Sequence, residues 1–370
     1  MKIVHITTVH QPFDNRIFHK ECVSMAELGY EVVLIARHNT DEIVQGVKIR
    51  ALSEPGGRLA RVFKTGRQAY KFALQEKADL YHFHDPEFIP FAIMLSRRGE
   101  KIVYDVHEDY VSAFKQKSYL PGPMRKTLAH IVDFLETILT RSFAIVLAEK
   151  YYQYRFPAGF QVLNYPKRNL LSVAINRVEK DDLRLIYTGN ITRDRGAFQH
   201  VNILNYCPDV QLSLVGHCRE VLAKQLFVLA GDNKDRLQIH GTERYIPFNE
   251  IVSHYVQGNW TAGLALFPWT PHYVNKELTK IFEYMSVGIP IICSDFPVWQ
   301  DLMEKTGAGI CVNADSEKEV KAVIEYLHSN RVQAKKMGEN GRRSIDKFYN
   351  WENEAKKLEA LYLKLNGENG

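Results

Sequence analysis

One rhythm runs through the chain: a short β-rich run, a loop, then a helical stretch. In the first half, β-rich runs cover residues 3–8, 31–35, 80–83, 102–106, 144–148 and 161–163, with a helix expected from about Arg16 to Leu28. A second series covers 183–189, 210–216, 237–241, 263–267, 290–294 and 309–312, with helical runs such as 316–329 between or after them. Alternation of this kind builds βαβ units and parallel sheets. Between the two series, from Asn164-Tyr165-Pro166 to Asp182, the periodicity fades. The expectation is α/β, with two Rossmann-like doubly wound domains in tandem: 1–165, a linker at 166–182, then 183–348, with a terminal helix at 349–370.

A length of 370 residues is more than a single core usually serves. Its 45% hydrophobic and 25% charged residues are the balance of a globular protein rather than a disordered one. The longest apolar stretch, 88–95, contains Pro90 and is far short of the ~20 residues that a membrane helix requires. The first residues enter a strand pattern directly, unlike a secretory leader, so a cytoplasmic location is expected. Five scattered cysteines at 22, 207, 218, 293 and 311 never form a CxxC pair, which points to neither a disulfide framework nor a zinc site. A net charge of +5 is too modest to imply nucleic acid.

In doubly wound sheets, ligands sit beyond the carboxyl ends of the strands, so the loops there should carry the chemistry. The segment from Asn275 through Thr279, Lys280 and Glu283 to Pro290 follows such a strand and opens a helix, whose free N–H groups favour an anion. Lys280 in the first turn opposes the helix dipole by about a few tenths of a kcal/mol, a placement that suits a bound diphosphate; a solvated lysine is the plain alternative. Asn275 has the chemistry of an N-cap.

Lys280-Ile281-Phe282-Glu283-Tyr284-Met285, followed by Gly288 and Pro290, resembles the second-domain motif of glycosyltransferase family 4. The resemblance covers nearly the whole chain and implies two domains facing a central cleft, the GT-B arrangement, with the terminal helix crossing back to the first. It assigns Glu283 to the ribose hydroxyls of a nucleotide. The first glutamate of the family motif, which lies near the reacting sugar, is replaced here by Asn275. The loop from Gly189 to Gly196 resembles the family's phosphate loop, with Arg195 in place of a lysine, Asn190 in place of an arginine, and Arg193 able to supply the lost charge. Tyr245 falls where relatives stack the base, although packing is the commoner role for such an aromatic.

In the first half, His84, Asp85 and Glu87 follow one strand, and His107, Glu108 and Asp109 follow the next. They resemble the family's first-domain signatures, in which His107 approaches the transferred sugar. The first loop, with His10, Asp14 and Arg16, resembles one branch of the family and, with His84, Asp85, Glu87 and Glu108, is assigned to the acceptor side or the cleft. The expected catalytic set is His107, Asn275, Lys280 and Arg195. No Asp-x-Asp triplet occurs, so fixed cations are expected to stabilise the leaving diphosphate, with no cofactor and no metal.

Arg58, Arg61, Lys64, Arg67 and Lys71 fall on one half of a predicted helix, with Leu59, Val62, Phe63, Tyr70 and Leu74 on the other. Lys115, Lys117, Arg125 and Lys126 add charge beside Phe114, Tyr119 and Leu120. Such a face either is simply solvated or meets anionic lipid at the inner face of the cell membrane, where a lipid-linked acceptor would be found. The function expected is transfer, with retention, of a sugar from a UDP- or GDP-linked donor to a saccharide or lipid-linked acceptor in surface polysaccharide, capsule or O-antigen synthesis. A sugar-nucleotide epimerase and a non-catalytic sugar-nucleotide-binding subunit are the alternatives.

Overall fold

A computed structural model describes residues 1–54, 61–107, 122–172 and 182–367. Glu108 and Asp109, and Arg58, Leu59, Phe114, Lys115, Lys117, Tyr119 and Leu120 of the proposed basic face, lie outside these described residues, as do the side chains of Arg61, Val62, Arg125 and Lys126. The chain forms two compact units, one of Met1–Asn164 with Trp351–Gly370, the other of Tyr165–Asn350.

The first unit is built on strands β1 (Lys2–Ile6), β2 (Glu31–Arg37), β3 (Glu42–Val44), β4 (Val47–Leu52), β5 (Leu80–Phe83), β6 (Ile102–Val106), β7 (Ala144–Leu147) and β8 (Phe160–Gln161). They form one sheet in the order β3-β4-β2-β1-β5-β6-β7-β8, parallel except for the β3–β4 hairpin. That hairpin was missing from the expected strands: β3 is only three residues long at the exposed edge, whereas β4, between β3 and β2, alternates and buries Val47, Ile49 and Leu52. Alternate strand residues enter two cores, as a sheet covered on both faces requires. Val4, Ile6, Val33, Ile35, Phe83 and Tyr104 pack on one side. Ile3, Val32, Leu34, Leu80, Val103 and Val146 pack on the other, under Trp351, Leu358 and Tyr362 of the last helix, Trp351–Asn366. Trp351 Nε1 donates to Ser24 Oγ at 2.8 Å, fixing the start of this helix.

In the second unit, β9 (Leu183–Thr188), β10 (Val210–Cys218), β11 (Leu237–Thr242), β12 (Ala262–Ala265), β13 (Ile291–Ser294) and β14 (Gly309–Val312) form a wholly parallel sheet in the order β11-β10-β9-β12-β13-β14. The winding direction reverses between β1 and β5 in the first sheet and between β9 and β12 in the second. Loops diverge at those points, and the crevice left outside the carboxyl ends is where such folds bind ligands.

Three expectations need correction. Residues 168–172, read as linker, form a helical turn (Arg168–Ser172) within the second unit. The helix expected over 16–28 is a π-type stretch (Ile17–Cys22) followed by Val23–Glu27. The basic helix is resolved as Arg61–Thr65 and Gly66–Glu76, and it turns Thr65, Ala69, Ala73 and Glu76 inward, leaving Phe63 69% exposed. Gly66 lies against Phe91, and an added Cβ there would stand 2.5 Å from the ring. All five cysteines are free.

Candidate functional site

In the second unit the site is built from the loop after β9 and the helix Thr279–Val287 after β12. Gly189 leaves β9 with φ +104°, and Gly196 follows with φ +78°. A Cβ at Gly196 would lie 1.7 Å from the carbonyl oxygen of Leu266, so only glycine lets this loop rest on the end of β12. Between the two glycines a single turn, Arg193–Arg195, presents its side chains.

Lys280 is buried, and its Nζ donates to the Tyr187 hydroxyl at 2.7 Å, 3.9 Å from the centre of that ring and 5.0 Å from that of Phe267. The ammonium faces Gly189, 3.2 Å from where a Cβ would stand, and an Arg195 guanidinium nitrogen lies 4.0 Å from the same point. Arg195 Nε donates to the Tyr273 hydroxyl at 3.0 Å, and that hydroxyl donates to Asp194 at 3.1 Å. Burial and the positive Arg195 push the Lys280 pKa well below that of a free lysine. Two cations thus meet over a side-chain-free backbone position, an arrangement suited to a multiply charged anion.

Glu283, on the same helix, accepts from the buried Tyr255 hydroxyl at 2.9 Å, and Thr188 Oγ1 lies 2.8 Å from that hydroxyl. Thr279 opens the helix, whose N-cap is Leu278. Asn275 is exposed in the preceding turn, so its reading as the N-cap is corrected. Arg193 does not join the pair at Gly189: its guanidinium donates to Gln225 at 2.8 Å and lies 4.3 Å from the centre of the Phe198 ring. Asn190 is exposed, and its carbonyl accepts from Tyr187 at 2.8 Å. Tyr245 is 76% exposed, without a packing role.

The first unit concentrates polar groups at the carboxyl ends of β1, β5 and β6. Asp14 accepts from the backbone N–H of Arg16 and Ile17 at 2.8 and 2.9 Å, starting the helical stretch that aims Arg16 inward. The Arg16 guanidinium then grips Asp105 through two bonds of 2.9 and 3.0 Å. Asp85 accepts from the Thr7 hydroxyl at 2.9 Å and from the backbone N–H of Thr8 and Val9 at 2.6 and 3.3 Å. His107 Nε2 and His10 Nε2 are 3.1 Å apart, His107 Nδ1 is 3.4 Å from Asp105, and His84 Nδ1 is 3.3 Å from the same carboxylate oxygen. Burial alone would raise the Asp105 pKa, but Arg16 and the two imidazoles hold it well below the carboxylate range. Burial likewise works against a charged His107, yet the Asp105 carboxylate raises its pKa.

His10, Arg16, His84, Asp85 and His107 therefore meet in one cluster. Glu87 sits in the turn Pro86–Phe88 after β5. The sequence reading passed over His5, Glu21 and His82, all fully buried beside this cluster, and the ion-pair role of Asp105. The available signal was polar residues inside otherwise apolar strands, since a buried strand carries such a group only with a partner. His5 and His82 are register partners across β1 and β5.

Two parallel-sheet α/β units of this kind are the architecture of glycosyltransferases of the GT-B fold. Within that class, the chain is a family-4-like glycosyltransferase: residues 15–149 match the Glycosyltransferase Family 4 model and residues 219–360 match a Glycosyl transferase-like model. None of the curated proteins matches the sequence significantly. Among solved structures, sucrose-phosphate synthase from Thermosynechococcus elongatus is 17% identical over 99% of both chains, with a TM-score of 0.75. Anabaena HepE in complex with UDP is 13% identical, with a TM-score of 0.71 over 98% of this chain and 100% of that one. WaaG, a glycosyltransferase involved in lipopolysaccharide biosynthesis, is 11% identical, with a TM-score of 0.68 over 99% and 100%. These likenesses establish the fold.

Proposed function

We propose that the protein transfers a sugar, with retention, from a nucleotide diphosphate donor to a saccharide or lipid-linked acceptor. The observation that carries this reading is the convergence of Lys280 and Arg195 at Gly189, where neither cation has a carboxylate ion pair among the described residues. A diphosphate supplies the missing charge. As the glycosidic bond breaks, negative charge grows on that diphosphate and the pair stabilises it without a metal ion, each cation contributing about 2 to 4 kcal/mol. Glu283, held by Tyr255, accepts from the ribose hydroxyls; Tyr245 offers the base a stacking face; His107 approaches the transferred sugar; Asn275 takes a sugar hydroxyl. Complexes of HepE with UDP-glucose, and of an E. coli trehalose-6-phosphate protein with UDP-2-fluoro glucose, favour a uridine donor over a guanosine one.

A lipid-linked acceptor, as in surface polysaccharide synthesis, suits the exterior of the first unit. Phe63, Lys64, Arg67 and Lys71 are exposed or partly so on one side, and the helix Gly122–Leu139 exposes Ile131, Phe134, Leu135, Ile138 and Leu139. No helix among the described residues is long and apolar enough to cross a membrane. Contact would be peripheral, by charge and apolar side chains together.

Incubation with UDP- and GDP-sugars, with and without lipid-linked acceptors, tests the reading. Acceptor-dependent release of the nucleoside diphosphate with a glycosylated product supports it. Formation of an epimeric sugar nucleotide without acceptor, or binding without turnover of any donor, overturns it.

A further inference from the structure

Beneath the histidine–carboxylate cluster of the first unit, His5, Glu21, His82 and His84 bring four potential metal-ligand atoms within 4.8 Å of one another, every one of these residues wholly buried. His5 Nδ1 and His84 Nε2 are 3.1 Å apart. Glu21 Oε2 lies 3.7 Å from the first, 3.8 Å from the second and 3.9 Å from His82 Nδ1. Tetrahedral zinc with bonds of ~2.0–2.1 Å requires donor–donor edges of about 3.4 Å. These four edges bracket that value, and the two from His82 to the other histidines are within 4.8 Å.

Two further observations point the same way. Glu21 Oε2, the proposed ligand oxygen, lacks a hydrogen-bond partner among the described residues, although buried polar groups are ordinarily paired. The outer atoms of three of the four residues are placed as the supports of metal-bound side chains usually are. His84 Nδ1 faces Asp105 at 3.3 Å, His5 Nε2 faces the Tyr362 hydroxyl at 3.4 Å, and Glu21 Oε1 faces Arg16 Nε at 3.0 Å.

We propose that His5, Glu21, His82 and His84 form a closed four-ligand site for a divalent transition metal, zinc by ligand type, that ties β1, β5 and the helical stretch after β1 together. Three imidazoles and one carboxylate exclude the all-oxygen preference of Ca2+ and Mg2+. With four protein ligands the ion is structural rather than catalytic. Ligation through His82 Nδ1 displaces the Tyr362 hydroxyl, now 2.6 Å from it, toward His5 Nε2. The proposal departs from the expectation of a metal-free chain, and it is separate from the donor diphosphate, which Lys280 and Arg195 hold in the other unit. It does not depend on the proposed function.

The test is elemental analysis of the full chain, expressed without a metal-affinity tag in zinc-supplemented medium, together with X-ray absorption at the zinc edge. Expected are about one zinc per chain and a first shell of four nitrogen and oxygen neighbours at ~2.0–2.1 Å. His82→Ala and Glu21→Ala should drop zinc below about a tenth of an equivalent, while Lys280→Ala retains it. Should the ligand variants fail to fold, the absorption spectrum of the unaltered protein decides. Less than about a tenth of an equivalent of zinc in that protein, with no rise in its unfolding temperature on refolding with Zn2+ or Co2+, overturns the proposal in favour of a site neutralised by protons. Zinc retained by folded ligand variants overturns the assignment of these residues.

Discussion

The ammonium of Lys280 lies 2.7 Å from the hydroxyl of Tyr187 and 3.9 Å from the centre of the same ring, so a buried cation is held by a phenol rather than by a carboxylate. A charge kept this way is costly to the ligand-free protein and available to an anionic ligand. Lys280→Met should lower turnover by roughly a hundred- to a thousandfold and leave the unfolding temperature of the ligand-free protein equal or higher. Arg195→Ala should match it in turnover. Steady-state kinetics and thermal unfolding check both, and near-normal turnover in either variant would remove the basis for the diphosphate site.

Glu283→Gln should behave differently. Ribose contacts are made equally in the ground and transition states, so their loss weakens donor binding more than it slows the bound complex. Donor affinity should fall about tenfold by titration calorimetry, with turnover at saturating donor reduced by less than about threefold. An unchanged affinity would exclude Glu283 from the ribose.

Gly196→Ala would set a Cβ 1.7 Å from the Leu266 carbonyl oxygen at φ +78°, whereas Gly29→Ala, at φ +88°, meets nothing within 4 Å. The second carries only left-handed backbone strain, about 1–2 kcal/mol. The first must also displace β12 and should cost more than ~3 kcal/mol. Denaturant unfolding compares them, and equal losses would contradict the close approach.

Glu76 is almost buried and meets Lys2 at 2.8 Å, Lys48 at 2.9 Å and Arg50 at 2.7 Å. Burial alone would raise its pKa, but hydrogen bonds from Lys2 and Lys48 bring it down to about 2 from an ordinary 4.5. A depressed folded-state value stabilises above the unfolded pKa and stops doing so as pH falls through the folded one. Wild type should therefore exceed Glu76→Gln by about 3 kcal/mol at pH 6, the gap closing between about pH 4.5 and 2. Unfolding free energies measured across that range test it, and a gap independent of pH would refute the ion-pair account.

On the exterior, Lys64, Arg67 and Lys71 changed together to glutamate should reduce co-sedimentation with anionic vesicles, and high salt should do the same to the unaltered protein. Equal binding to neutral and anionic vesicles would argue that charge does not direct any membrane contact.

The strand rhythm made the two sheets legible, because residues buried between helix layers must be apolar whatever their partners. Leu80–Phe83, Ile102–Val106 and Gly309–Val312 were read to the residue. Three-residue β3 escaped because an exposed edge imposes no such pattern, and β4 escaped although it buries Val47, Ile49 and Leu52. The run around Lys280 and Glu283 was equally plain, being local to one helix. What sequence alone determined was thus the α/β architecture, the family resemblance and the charged residues following the strands. Tertiary structure decided which of those charges meet. Arg193 and Arg195 stand two positions apart, yet one turns to Gln225 and the other to Tyr273 beside Lys280. Tyr187 and Lys280, like Glu21 and its three histidines, come from distant stretches of the chain. Their proximity follows from strand order and register, and those are set by packing over the whole sheet rather than by any neighbour in sequence.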